Sequence, residues 1–504
     1  MTIYKAFETA KNGTQIPVFL SGRTMESRYN PERDAENLLS TIDLNDSFFI
    51  VPGVGSGLFI KLLSQRLPQA KIIAFEFFQE DLDFLKQSQI VQELAVNPSV
   101  IFTDSDKLEE TLLNNYLPAK YGDVKIIQQK NWLNENQERL ADLNQIINKT
   151  IGIISADYSV QAHFGKIWTS NILNNSLLAQ RASAFSFAES KEAILKKTAV
   201  IVAAGPSLDR TIKLLSEADS PDKYFIFATD TAGQALIRQN IIPDVVVSID
   251  GQSVSYNHFI SSSSKQDKAT LFAFDLSSNT SAARYIYQAG KPLSFFTSGH
   301  PLSQAVNAAN GSTLPSYFSG AGTVTITAVD MAVQSGFKNI LILGADFSYS
   351  KGKAYTAGTY LDTLYNKASF RLSESEGTFS RLMFRTELKD LSQDSKTTQV
   401  LEAYKLSLEN YLAQKNISYK KENEIYTLKV PSLQNNSSKG IFTQAGSNFS
   451  LKAFLEKLKA ASFEESEMLL LPYVAWLRNN DAYKKLPYND LVKLALESIV
   501  SYNI

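Results

Sequence analysis

The run Ala199-Val200-Ile201-Val202-Ala203-Ala204 ends on Gly205-Pro206-Ser207-Leu208, and the residues behind it, Asp209 to Leu215, carry helical spacing. A continuous apolar run is what a strand buried on both faces of a parallel sheet requires. Proline suits the first turn of a helix, where its missing N–H costs nothing. Gly205 lets the backbone approach a ligand closely, and the unpaired N–H groups of the helix start attract an anion. The segment must therefore fold as strand, tight turn and helix, with a phosphate-sized anion position at the turn. Any doubly wound sheet contains such turns, so function has to be read from the rest of the chain.

At 504 residues the chain exceeds one ordinary core, which implies two or three domains. Hydrophobic residues at 44% and charged residues at 20% describe a folded protein. A formal net charge of -1 argues against general nucleic-acid binding, which needs a basic excess. There is no cysteine, which removes disulfides, thiolate nucleophiles and cysteine-based metal sites. The only histidines are His163, His258 and His300, so a zinc centre is not expected. Met1 to Glu8 lacks the apolar core of a signal peptide, and no later segment is an uninterrupted span. The expectation is a cytoplasmic protein without stable membrane insertion.

Three regions follow from the pattern, 1–150, 151–430 and 431–504. In the first, strand Ser47 to Val51 runs into Pro52-Gly53-Val54-Gly55-Ser56-Gly57. An amphipathic helix from Leu58 to Leu67 and a strand from Lys71 to Phe75 come next, ending at Glu76. This is a Rossmann-like βαβ unit, in which the acid would ordinarily hold a ribose. The glycine spacing departs from the dinucleotide pattern, and Phe77-Phe78 crowds the acid, so a scaffold is expected here rather than a second catalytic site. The stretch from Asn131 to Glu192 reads as a mostly helical connector, with His163 a packing or surface residue.

From Thr198 strands alternate with helices. Tyr224 to Ala228 ends at Asp230-Thr231, Ile242 to Ile249 at Asp250, and Leu271 to Phe274 at Asp275. Leu293 to Phe296 leads to Ser298-Gly299-His300, and Asn339 to Leu343 to Gly344-Ala345-Asp346. In a parallel sheet such C-terminal ends converge on one ligand-binding crevice. A single strand-end aspartate is often a helix cap. Four of them beside a Gly-Pro-Ser turn point to a functional site. After a polar boundary at Gln434 to Gly440, three amphipathic stretches form a helical C-terminal region suited to docking or to a homo-oligomer.

These central motifs, together with Ser319-Gly320-Ala321-Gly322-Thr323 and Gly344-Ala345-Asp346-Phe347, resemble the central domain of the Maf proteins. That family consists of motility accessory factors, cytoplasmic bacterial glycosyltransferases that decorate flagellin with nonulosonic acids such as pseudaminic or legionaminic acid. The domain is similar to the MptE-like pyrophosphokinases, and its turn resembles that of sialyltransferases using CMP-activated donors. The likeness covers about residues 170–425. It implies an α/β fold with a Rossmann-like N-terminal domain, a central doubly wound glycosyltransferase domain and a helical C-terminal domain.

The resemblance also implies roles. The phosphate of the CMP donor would sit over Gly205, Pro206, Ser207 and Leu208. Asp230 and Thr231 would hold ribose or base, with Ser319, Gly320, Gly322 and Thr323 as the facing loop. Tyr349 and Tyr355 would hydrogen-bond the leaving phosphate. The chain departs from the family where Gly352-Lys353-Ala354-Tyr355 lacks a histidine, and no histidine follows His300, so His300, Asp250 or Asp346 is left to act as the base. No metal or cofactor is required on this reading, because helix N–H groups and tyrosine hydroxyls can stabilise the departing phosphate. Flagellin would be the acceptor. Two other readings stay open, namely diphosphate transfer from ATP to a hydroxymethylpterin with Mg²⁺, and a non-catalytic flagellin-binding accessory protein.

Overall fold

The computed structural model describes residues 2–183, 185–217, 220–260, 270–320, 322–369, 374–431, 440–442 and 449–502. Two compact units emerge, Met1–His163 with Leu471–Leu491, and Phe164–Leu470 with Val492–Ile504. The helix Leu140–Arg181 contains the boundary. The region 431–504, expected as a helical domain of its own, is divided between the units. Helix Leu451–Lys459 lies against helix Pro301–Ala309 in the second, while Arg478 donates to the Ala119 carbonyl in the first. Short amphipathic helices bury their apolar stripes on whichever body lies beside them, and sequence period alone does not say which.

The first unit opens with an antiparallel hairpin, β1 (Tyr4–Thr9) and β2 (Gln15–Phe19). Then come β3 (Phe48–Pro52), β4 (Lys71–Phe75), β5 (Val100–Thr103) and β6 (Val124–Ile126). They form a parallel sheet in the order β5-β4-β3-β6. Phe48, Phe49, Ile50 and Val51 are all fully buried, which is why β3 reads as an unbroken apolar run. The glycine-rich turn follows β3 where the strand order reverses, the place at which a Rossmann fold binds its ligand.

Here that place is filled by the protein itself. A Cβ on Gly53 would meet the Trp132 ring and the Met25 terminal methyl, and one on Gly55 would meet the Glu26 carboxylate. Ser56 N–H donates to Glu26 Oε1 at 2.6 Å. Glu76 accepts from Tyr4 Oη–H at 2.9 Å, Val54 N–H at 2.8 Å and Trp132 Nε1–H at 2.7 Å. Glu76 is fully buried with both oxygens turned to protein donors, so it presents no exposed carboxylate to a ribose.

The second unit carries the larger sheet. Its parallel strands are β7 (Thr198–Val202), β8 (Tyr224–Thr229), β9 (Val245–Ser248), β10 (Leu271–Asp275), β11 (Leu293–Phe296) and β12 (Asn339–Leu343). A small sheet of β13 (Tyr349–Ser350), β14 (Lys389–Ser392) and β15 (Ser395–Thr397) follows. The hairpin β16 (Ser418–Glu422) and β17 (Ile425–Lys429) extends the large sheet antiparallel to β12. The full order is β11-β10-β9-β8-β7-β12-β17-β16.

The chain winds outward from β7 through β11 and then crosses to β12 on the other side, so the order reverses between β7 and β12. Val202 pairs with both Ala228 and Leu343, which brings the strand ends level along one edge. Helix Val324–Ser335 packs beneath β7, β8 and β9 and is buried along most of its length. Among the described residues no helix is long and apolar enough to cross a membrane.

Candidate active site

The Gly205-Pro206-Ser207 turn lies at the reversal point between β7 and β12, where ligands bind in open α/β sheets. The two strand ends approach closely. Gly205 N–H donates to the Gly344 carbonyl at 2.8 Å and Ala203 N–H to the Leu343 carbonyl at 2.9 Å. A Cβ on Gly205 would collide with the Asp346 carboxylate and the Gly344 carbonyl, and one on Gly344 with the Ala203 carbonyl. Gly344 also sits at φ 68°, where side chains are strained. Both glycines are required by the fold.

The anion position at the turn is occupied by a side chain of the chain itself. Ser207 N–H donates to Asp346 Oδ2 at 2.9 Å. The Ser207 hydroxyl is buried and has no hydrogen-bond partner among the described residues. Pro206 and Leu208 are buried and frame this turn. Arg210 pairs with Glu424, Lys421 lies 4.6 Å over the Tyr426 ring, and both cations feel the charge of Asp346. Asp209 anchors the loop that follows β13. Burial raises the carboxyl, but donors from Thr356, Ala357 and Lys353 outweigh this and hold it below the usual range.

A second cluster forms at the ends of β8 and β9. Asp230 is buried and accepts from the Thr231 N–H and hydroxyl, and from the Ser248 hydroxyl at 2.7 Å. Asp250 accepts from Gln252 N–H at 2.9 Å. Burial pushes Asp250 up to about 6, with Asp230 adding to the rise. Tyr355 is pushed up to about 12 by burial, with Tyr349, Tyr360, Tyr365 and Tyr404 contributing. Burial also raises Tyr349, Tyr360 and Tyr404, and the last two feel Asp250. Two aspartates and a ring of tyrosines that stay protonated thus share one neighbourhood.

The loop Ser319–Thr323 precedes helix Val324–Ser335, and Thr323 N–H bonds back to the Ser319 carbonyl. Gly320, at φ 54°, lies against Ser407 on helix Gln399–Gln414, the helix that carries Tyr404. Gly322 faces open space, and Ala321 lies outside the described residues. Asp330 ties this loop down, accepting from Phe318 N–H and from Tyr411 Oη–H at 2.7 Å each.

His300 accepts through Nδ1, and its buried Nε2 has no hydrogen-bond partner among the described residues. Leu302 N–H donates to its Nδ1 at 3.2 Å, capping helix Pro301–Ala309, and burial drops the ring to about 4. A neutral imidazole whose Nδ1 accepts must carry its hydrogen on Nε2, which leaves no lone pair free for a proton. Its ring meets Trp168 edge-on at 5.7 Å. Asp275, the fourth strand-end acid, is buried and turned to the Ser277 N–H and hydroxyl. The four aspartates thus take different hydrogen-bond partners. Asp230 and Asp250 come together, Asp346 belongs to the turn, and Asp275 shapes its own loop.

The segment read as a connector supplies braces. Asn171 donates to the carbonyls of Gly251 at 3.1 Å and Ser277 at 3.0 Å, and Asn175 to those of Leu276 at 3.0 Å and Ser278 at 2.8 Å. Two asparagines four residues apart share a helix face, a signal present in the sequence but without a visible target. His258, Tyr360 and Tyr404 have no local signal, since loops far apart in sequence assemble them.

Residues 170–352 match the family model described as 6-hydroxymethylpterin diphosphokinase MptE-like. A solved structure described as the Maf glycosyltransferase from Magnetospirillum magneticum AMB-1 superposes with a TM-score of 0.52. It covers 99% of this chain and 91% of that one at 11% identity. The fold is thus that of a Maf glycosyltransferase, with an MptE-like central region. Three relatives from Treponema pallidum (strain Nichols), each described as an uncharacterized protein, also match. One is 38% identical over 135 residues, 26% of this chain and 48% of the relative. A second is 34% identical over 150 residues, 29% of this chain and 67% of the relative, and a third is 28% identical over 200 residues and covered for 33%. With the second relative covered to that extent, the chain belongs to the same family as it. The match spans about half the length of the first relative and a third of the last.

Proposed function

We propose that this chain is a glycosyltransferase that moves a nonulosonic acid from a CMP-activated donor to serine or threonine hydroxyls of flagellin. The observation that carries the reading is the seat of the Asp346 carboxylate on Ser207 N–H. A carboxylate held by a backbone amide at the reversal point marks a place where an anionic group is accepted, and a donor phosphate would take it over. The likeness of fold to a Maf glycosyltransferase supports the same class.

In the reaction the carboxylated sugar leaves its phosphate through an oxocarbenium-like state while negative charge grows on the nucleotide. Tyr355, pushed up to about 12, keeps its hydrogen at any physiological pH and so donates to that charge rather than abstracting a proton. Tyr349 has the same character. Asp230 and Thr231 would face the nucleoside, with Ser319, Gly320, Gly322 and Thr323 opposite.

Calorimetry with CMP and CDP against ATP and GTP tests the reading, and CMP is expected to bind best. The match of residues 170–352 to MptE-like diphosphokinases supports a second reading, diphosphate transfer to a hydroxymethylpterin. Preference for ATP with Mg²⁺ would move the assignment there. Tyr349→Phe and Tyr355→Phe should slow transfer without unfolding the chain.

A further inference from the structure

We propose that His258 is the group that takes the proton from the acceptor hydroxyl, an assignment that rests on the glycosyltransferase reading. His258 closes the short helical turn Ser253–His258, which follows directly on β9 and Asp250. Gln234 Nε2 donates to the carbonyls of Asn257 at 2.7 Å and His258 at 3.1 Å, so helix Asp230–Arg238 pins the backbone of the turn. The imidazole meets the Tyr360 ring edge-on, with centroids 4.5 Å apart and planes at 83°. Its Nδ1 is buried and has no hydrogen-bond partner among the described residues.

A buried polar atom left without a partner costs about 1–3 kcal/mol, so it calls for an explanation. An incoming hydroxyl group is one, and the neighbouring residues favour it. Asp250 comes from the end of β9, Asp230 from the end of β8, and Tyr360 from helix Tyr360–Ala368. From helix Thr280–Gln288, Tyr285 packs on Tyr256 of the same turn and donates to the Ile260 carbonyl. Burial lowers the imidazole below its usual range, against the pull of Asp230, so the ring is neutral and able to accept near pH 7.

The groups read from the sequence are differently engaged. His300 has its accepting nitrogen committed to Leu302, and Asp346 lies at the Gly205-Pro206-Ser207 turn, on the side of the leaving phosphate rather than of the acceptor hydroxyl. Asp250, which feels the charge of Asp230 as His258 does, is the rival to be tested.

In the step, the acceptor hydroxyl oxygen bonds to the anomeric carbon as the bond from that carbon to the phosphate oxygen breaks. The electron pair of the broken bond leaves with CMP. The hydroxyl proton passes to the free nitrogen of His258 and then to water.

The test uses the full chain, flagellin and a CMP-activated nonulosonic acid, followed in single turnover. His258→Gln should lower the transfer rate by about 10²–10⁴-fold while CMP affinity stays at the wild-type value. His258→Ala should recover rate on addition of free imidazole, saturably, because only a missing base is replaced by a soluble one. A His258→Gln chain that transfers at the wild-type rate overturns the assignment. So does a rate loss that imidazole leaves untouched while Asp250→Asn abolishes transfer, which would name Asp250 the base. A wild-type chain that binds no CMP and transfers no sugar overturns the glycosyltransferase reading itself, and this is seen before any variant is made.

Discussion

Ser207 N–H, at the head of the turn after β7, donates to Asp346 Oδ2 beyond β12 at 2.9 Å, across 139 positions of sequence. A donor phosphate and this carboxylate compete for one amide. Asp346→Ala should therefore raise CMP affinity, and Asp346→Asn less, because an amide oxygen can keep the hydrogen bond without the charge. Removing a like charge near the phosphate is worth roughly 1–3 kcal/mol at this depth, about ten- to hundredfold in Kd. Calorimetry reads it. Weaker binding in both variants would mean that Asp346 meets the ligand favourably and is not displaced.

Gly205→Ala and Gly344→Ala should each destabilise the second unit and weaken nucleotide binding. A Cβ at either position collides with a backbone carbonyl oxygen, and backbone at a strand end cannot give way as a flexible side chain can. A loss of about 1–3 kcal/mol or more is expected. Gly322→Ala is the control, since it faces open space and pays only for its φ of 88°, about 1–2 kcal/mol. Thermal unfolding of the three variants should rank Gly322→Ala as the mildest.

Asn175→Leu should cost about 1–3 kcal/mol, because the carbonyls of Leu276 and Ser278 lose their buried donor. Asn171→Leu frees the Gly251 and Ser277 carbonyls and should loosen the loop that carries Asp250. Hydrogen exchange should rise in residues 250–258 for Asn171→Leu. Unchanged protection there would show that the loop holds itself.

The first unit should lose stability as pH rises. Burial pushes Glu26 up to about 7, against hydrogen bonds from Ser56. It pushes Glu76 up to about 8, although Trp132, Val54 and Tyr4 donate to it. Both values lie above that of the unfolded carboxyl, so the folded state holds more protons between about pH 4.5 and 8. Stability must then fall through that window and level off above it. Denaturant unfolding at pH 6, 7 and 8 checks the sign. Glu26→Gln, which can still accept from Ser56 N–H, should flatten the slope.

The succession of strands β7 to β12 along the chain was legible because each is a short apolar run closed by a small or polar residue, a local property. The Gly-Pro-Ser turn was legible for the same reason, and so was the glycine-rich turn after β3 with Glu76 behind it. What those turns hold was not. Glu26, Met25 and Trp132 fill the first, and Asp346 sits on the second, through contacts that no spacing rule connects. Asn171 and Asn175 looked like polar residues of a connector until the loops after β9 and β10 lay beneath them.

The residues of this chain by themselves determined an α/β protein, with parallel strands ending in acids and an anion-seeking turn at Gly205. Hydrophobic period and turn chemistry act over a few residues, and one sequence displays both. Only the tertiary structure decided that Asp230 raises Asp250 while Asp275 is held by Ser277. It alone turned the Nδ1 of His300 to Leu302, left the buried Nδ1 of His258 unpartnered among the described residues, and divided the C-terminal helices between two units. Those outcomes depend on which loops meet in space, where burial and the last available hydrogen-bond partner set the state of each group.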